Sequence, residues 1–173
     1  MGRPRARLSL KGRALQLLAQ RDQSRVELRG KLLRHAAAGA REPAAGEGDA
    51  DPIPATDLET GDGEGPRAEV EALLDWLEAN RFLSAERFVE SRVHAREARF
   101  GNRRIRAELA QHGVAVSPEV ARALAESELA RAAAVRERRF QEPPRDAAER
   151  AAQARFLAGR GFSPEVIQRV LRR

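Results

Sequence analysis

Apolar residues recur along this chain at helical spacing, three and four positions apart. From about Ser9 to Arg21, Leu10, Ala14, Leu17 and Leu18 make one stripe. Ser24-Arg25-Val26-Glu27 reads as a capping box that starts a second helix carrying Leu28, Leu32 and Leu33. Pro66 or Arg67 opens a third, with Val70, Leu73, Leu74 and Leu77 inward and Trp76 near the edge, closed by a turn from Asn80 to Leu83.

Two further helices meet at a tight joint, Phe100-Gly101-Asn102. The first follows Ser84, a suitable N-cap, and the second carries Ile105 and Leu109, with Gly113 as its left-handed cap. Phe88, Val89, Ala95, Ile105 and Leu109 are expected inward. Ser117-Pro118-Glu119 starts the next helix, and Leu129 and Val135 mark a basic one ending at Phe140. After Pro143-Pro144, Asp146 and Glu149 form a capping box for a helix with Phe156 and Leu157. Ser163-Pro164-Glu165 opens the last, with Ile167, Val170 and Leu171 apolar.

The pattern repeats. Gly113 to Val120 matches Gly159 to Val166 at an offset of 46, and Arg96 to Phe100 resembles Arg136 to Phe140 at an offset of 40. Ser24, Leu28, Arg29 and Leu32 match Gly101, Ile105, Arg106 and Leu109 at 77, which becomes 46 once the 31 residues from Ala36 to Pro66 are set aside. The expected fold is all-α: three tandem three-helix repeats in an elongated, curved array. The divisions are a flexible basic tail over 1–8, then repeats over 9–82, 83–127 and 128–173. A unit of about 45 residues buries too little surface to fold well alone, so neighbours must share a core.

The stretch 36–66 stands apart. Glu42, Glu47, Asp49, Asp51, Asp57, Glu59, Asp62 and Glu64 face only Arg41, a net charge of −7. Rich in Gly, Pro and Ala, it cannot offset its ordering entropy and is expected to be a disordered acidic loop inside the first repeat. Lengthening a short turn to this extent costs about 1.8 kcal/mol. The loop is either inert or a shield for basic surface elsewhere.

Charge then sharpens the picture. The chain of 173 residues carries a net +6, which leaves +13 outside the acidic stretch. A helical body so charged attracts polyanions or an acidic protein surface. Arg92, Arg96, Arg99 and Arg103 follow one another every three to four residues across the joint and can line one face. With Arg25, Arg29, Arg104, Arg106, Arg136 and Arg139 they are the candidate partner-binding or nucleic-acid-binding residues. Structural pairing with Glu97 or Glu108 is the competing reading.

Other chemistry has little to rest on. There is no cysteine, and aromatic residues are 4% of the chain, with no Tyr and one Trp. His35, His94 and His112 lack metal-ligand spacing. No Gly-rich loop is followed by Lys-Ser or Lys-Thr, so no catalytic residue, cofactor or metal is assigned and an enzyme is not expected. No apolar run approaches a membrane span, and Lys11 and Arg13 interrupt any signal-like region. The cytoplasm is the expected compartment.

The ordered set of local patterns resembles the RecX regulatory proteins of bacteria. It comprises Ala14 to Arg21, Ser24 to Leu28 with Lys31-Leu32, Leu83 to Phe88, Gly101 to Leu109 with Gly113, Arg155 to Leu157, Gly161-Phe162 and Val166-Ile167. Ala85 stands where that family usually has Asp, and the acidic loop is longer than expected. The resemblance implies a non-enzymatic modulator of the RecA recombinase, built from tandem three-helix repeats; a monomer is expected. Such proteins lie in the groove of the RecA–single-stranded-DNA filament. They inhibit ATP hydrolysis, strand exchange and co-protease activity, and so regulate DNA repair and the SOS response. Two alternatives stay open: a direct DNA-binding protein reading through the helix from Asn102 to His112, and a scaffold for an unrelated acidic partner. The first lacks a polar base-reading set beside its arginines.

Overall fold

The computed structural model describes residues 8–40 and 64–172. Among the described residues there are eight α-helices and no strand: α1 (Leu10–Gln20), α2 (Arg25–Ala40), α3 (Glu64–Ala79), α4 (Ala85–Glu97), α5 (Asn102–Gln111), α6 (Pro118–Phe140), α7 (Ala147–Gly159) and α8 (Pro164–Leu171). The all-α expectation holds. The acidic loop falls mostly outside the described residues, as does most of the basic tail. Its two ends differ from the reading above: α2 continues through 36–40 and α3 begins two residues before Pro66. Two compact units are present, Met1–Ser84 and Ala85–Arg173.

The first unit is built by α1, α2 and α3. Ser9 caps α1 by accepting the Gly12 N–H at 3.1 Å, and Ser24 caps α2 by accepting that of Glu27 at 3.1 Å. The carboxylate of Glu27 binds Arg21 and Lys31. Ala14, Leu17, Leu28, Leu32, Val70, Leu74, Leu77 and Leu83 form the core, as the helical stripes predict. Trp76 lies at the edge, stacked on Phe82 with centroids 5.6 Å apart, and Lys11 Nζ sits 3.7 Å from its ring centre.

The second unit holds two apolar clusters joined by α6. Phe88, Val89, Ile105, Leu109 and Leu124 make one; Ala132, Val135, Leu157, Phe162, Ile167, Val170 and Leu171 make the other. α6 is one continuous helix of 23 residues serving both clusters. Within it Ser127 donates its hydroxyl to Ala123 O at 2.9 Å. Ala95, expected inward, is exposed.

The turns after α5 and α7 are the same device. Gly113 and Gly161 take the left-handed conformation, with φ of 69° and 83°. The Val114 N–H returns to Leu109 O at 3.1 Å, and the Phe162 N–H to Leu157 O at 3.3 Å, the bond of a Schellman cap. Gly161, not Gly159, is therefore the counterpart of Gly113. Gly159 is the last residue of α7.

Candidate polyanion-binding surface

The joint between α4 and α5 organises the second unit. A helix ends with unpaired carbonyls and a partial negative charge. Three arginines from elsewhere in the unit supply the missing donors at the end of α4. Arg131 on α6 donates to Phe100 O at 2.8 Å and Glu97 O at 3.2 Å. Arg138, two helical turns further, donates to Ala98 O at 2.6 Å, and Arg160 after α7 to Arg99 O at 3.4 Å. Arg131 also donates to Asn102 Oδ1 at 2.5 Å and Leu124 O at 2.9 Å. Burial lowers its pKa, an effect opposed by the nearby charges of Glu128 and Glu97.

Beneath the joint lies Glu128, only 5% exposed. Its Oε1 accepts the backbone N–H of Asn102 at 3.0 Å and that of Ser163 at 3.3 Å, while Oε2 accepts the Ser163 hydroxyl at 3.2 Å. One carboxylate thus faces the positive N-termini of both α5 and α8. The Gly101 N–H donates to Arg160 O and the Arg103 N–H to Gly161 O, each at 3.0 Å, so the joint is bonded directly to the α7–α8 turn.

The predicted arginines separate into three groups. Arg25, Arg29, Arg92 and Arg96 are engaged in ion pairs. Arg25 binds Glu71, Asp75 and Glu78 on α3 at 2.9, 2.7 and 2.6 Å, and Arg29 binds Glu71. Burial alone would lower the pKa of Arg25; its three carboxylate partners outweigh this and hold it above its usual range. Arg92 and Arg96 converge on Glu108 Oε1 at 3.4 and 3.1 Å, linking α4 to α5. Arg136 is buried, pairs with Glu137 at 3.4 Å, and leaves its Nε without a hydrogen-bond partner, which is unlike a surface contact residue. Its burial follows from its place one turn beyond Ala132 on the inward side of α6.

The remaining five, Arg99, Arg103, Arg104, Arg106 and Arg139, are exposed. Arg104 stands 4.3 Å from the centre of the Phe100 ring and Arg99 5.6 Å, close enough for cation–π attraction to hold them in place. Arg99 and Arg139 line a cleft of about 300 Å³ with Arg138 and Arg160, floored by Ala98, Val135 and Phe156. No carboxylate is among the residues that line it. The sequence reading missed Arg131, Arg138, Arg160 and Glu128. Arg138 adjoins Arg139 in the repeat of R-E-A-R-F, which could have drawn it in; Glu128 carries no local signal of burial.

Comparison with known proteins places this architecture. Residues 86–117 match the family model described as RecX, second three-helix domain, and residues 126–171 that described as RecX, third three-helix domain. "Regulatory protein RecX" of Ralstonia nicotianae is 46% identical over 173 residues, covering 99% of this chain and 91% of that protein. The protein of the same name from Herbaspirillum seropedicae is 44% identical, covering 95% and 90%. The crystal structure of RecX from Lactobacillus salivarius superposes with a TM-score of 0.61 over 94% of this chain and 92% of that one; at 15% identity this likeness speaks for the fold alone. Its relatives are named as regulatory proteins rather than enzymes, and the chain belongs to the RecX family.

Proposed function

We propose that this protein regulates the RecA recombinase by binding the RecA–single-stranded-DNA filament, and that it inhibits ATP hydrolysis, strand exchange and co-protease activity there. It acts in the cytoplasm as a monomer and catalyses nothing itself. The observation that carries this reading is the exposed arginine set Arg99, Arg103, Arg104, Arg106 and Arg139 on one unit of a RecX family chain. A filament of nucleic acid and protein is a repeating polyanion, and a surface with five exposed guanidinium groups is attracted to it. Arg92 and Arg96 support the fold of that unit through their ion pairs with Glu108 rather than making the contact, and Arg25 and Arg29 are likewise engaged with carboxylates within the first unit.

Co-sedimentation with RecA tests the reading. Filaments assembled on single-stranded DNA with a slowly hydrolysed nucleotide should carry the protein into the pellet, with less carried as salt rises. Protein that stays in the supernatant at every salt concentration would contradict it.

A further inference from the structure

We infer that the cleft between the end of α4, the end of α6 and α7 is a nucleotide seat for a single-stranded nucleic acid, holding a backbone phosphate on Arg99 and Arg139 and a base against Phe156. This deepens the reading of the arginine face as the binding surface and rests on it. Four guanidinium groups, of Arg99, Arg138, Arg139 and Arg160, border one cavity of about 300 Å³. That is the lower end of the size of small-ligand sites.

Like charges gathered around a concave space repel one another, and no lining carboxylate neutralises them. Arg138 and Arg160 are fixed by the carbonyls of Ala98 and Arg99 at 2.6 and 3.4 Å. Arg99 and Arg139 have exposed side chains, so they are the two heads left to meet an anion. The floor decides between anions. Phe156 is half-buried, with the Phe140 ring edge-on at 5.3 Å and the Arg160 guanidinium 4.9 Å from its centre. A nucleotide brings both a charge for the rim and a flat apolar face for Phe156. An aspartate or glutamate side chain brings only the charge. Stacking of bases on aromatic residues beside a basic groove is how single strands are held without sequence preference.

The test uses the full chain without RecA. Binding of a fluorescein-labelled oligothymidylate, of an abasic strand with the same number of phosphates, and of a polyglutamate peptide is followed by anisotropy across a salt series. The cleft variant is Arg99→Ala/Arg139→Ala. The control is Arg122→Ala/Arg145→Ala, which removes two exposed arginines outside the cleft; circular dichroism verifies the helicity of both. The cleft variant should bind oligothymidylate about tenfold more weakly, with a salt slope smaller by about 1.4, while the control stays near wild type. The abasic strand should bind wild type more weakly than oligothymidylate. Equal losses in the two variants, no loss in the cleft variant, equal affinity for the abasic strand, or a loss confined to polyglutamate would each overturn the inference. A cleft variant that binds oligothymidylate normally but no longer affects RecA would overturn it and leave the RecA reading standing. The converse result, oligothymidylate bound through the cleft by a protein without effect on RecA, would remove that reading and leave the seat.

Discussion

The backbone of Gly101 lies against that of Gly161 with no room for a side chain between them: a Cβ on Gly101 would come well within 3.0 Å of the Gly161 carbonyl oxygen. The far side of the same contact is equally tight. A Cβ on Gly161 would stand 2.7 Å from the Arg104 backbone nitrogen, and its φ of 83° disfavours any L side chain. Gly101→Ala should therefore cost at least about 3 kcal/mol, since only backbone could move aside. Gly161→Ala should be comparable. Gly159→Ala, with nothing within 4 Å of its added Cβ, should be neutral or slightly stabilising. Urea denaturation of the three variants measures this, and similar midpoints for all three would refute the close contact.

Glu128 makes a second prediction. Removing its carboxylate leaves the buried N–H of Asn102 and the half-buried N–H of Ser163 without their acceptor. Glu128→Ala should cost about 2–4 kcal/mol. Glu128→Gln keeps an acceptor oxygen but loses the charge at two helix N-termini, and should cost about half as much. Equal stability of the alanine variant and wild type in chemical denaturation would show that the carboxylate does not hold the two helix starts.

The ion pairs of the first unit give a pH dependence. Glu71 is held below the ordinary carboxylate value of 4.5, chiefly by its hydrogen bond from Arg25 and also by Arg29. Burial alone would raise the pKa of Glu27; its bonds from Arg21 and Lys31 overcome this and lower it. A depressed carboxylate pKa contributes stability that is complete above the unfolded value and is lost as pH falls through the folded one. Thermal midpoints should thus be flat above about pH 5 and fall below about pH 4.5. Arg25→Ala should shrink that acid-side drop, and its own effect should be smaller at 1 M salt, where the Debye length is about 3 Å. An acid-side drop of the same size in Arg25→Ala would contradict the assignment.

Much of this was legible in the sequence. Ser24, Ser117 and Asp146 each accept an N–H of the first helical turn, as read from a short polar side chain before an apolar stripe, whereas Ser163 makes no such bond and donates its hydroxyl to Glu128. Gly113 took the left-handed position expected of it. The misplacements share a cause: a local pattern cannot tell which of two neighbouring residues the tertiary structure will use. Gly159 and Gly161 both look like caps, and only contact with Arg103 and Arg104 decides for Gly161. Arg136 and Arg139 look equally basic, yet one faces the core and the other the cleft. Arg131, Arg138 and Arg160 bond to carbonyls 31 to 61 residues away in the chain, a distance over which spacing carries no information.

The same partition predicts which arginines matter for function. Arg92 and Arg96 share Glu108, so Arg92→Ala/Arg96→Ala should lower stability modestly, by about 1 kcal/mol, and leave filament binding within about twofold of wild type. Loss of RecA binding by this variant at full helicity would return these two residues to the contact surface.

The most direct measurement is RecA ATPase on single-stranded DNA, titrated with wild type and with Arg99→Ala/Arg103→Ala/Arg104→Ala at two salt concentrations. Wild type should inhibit turnover, more strongly at low salt. The triple variant, folded to the same helicity, should need at least about tenfold more protein and show a flatter salt dependence. ATPase left unchanged by wild type, or inhibited equally by both proteins with the same salt dependence, would contradict the account.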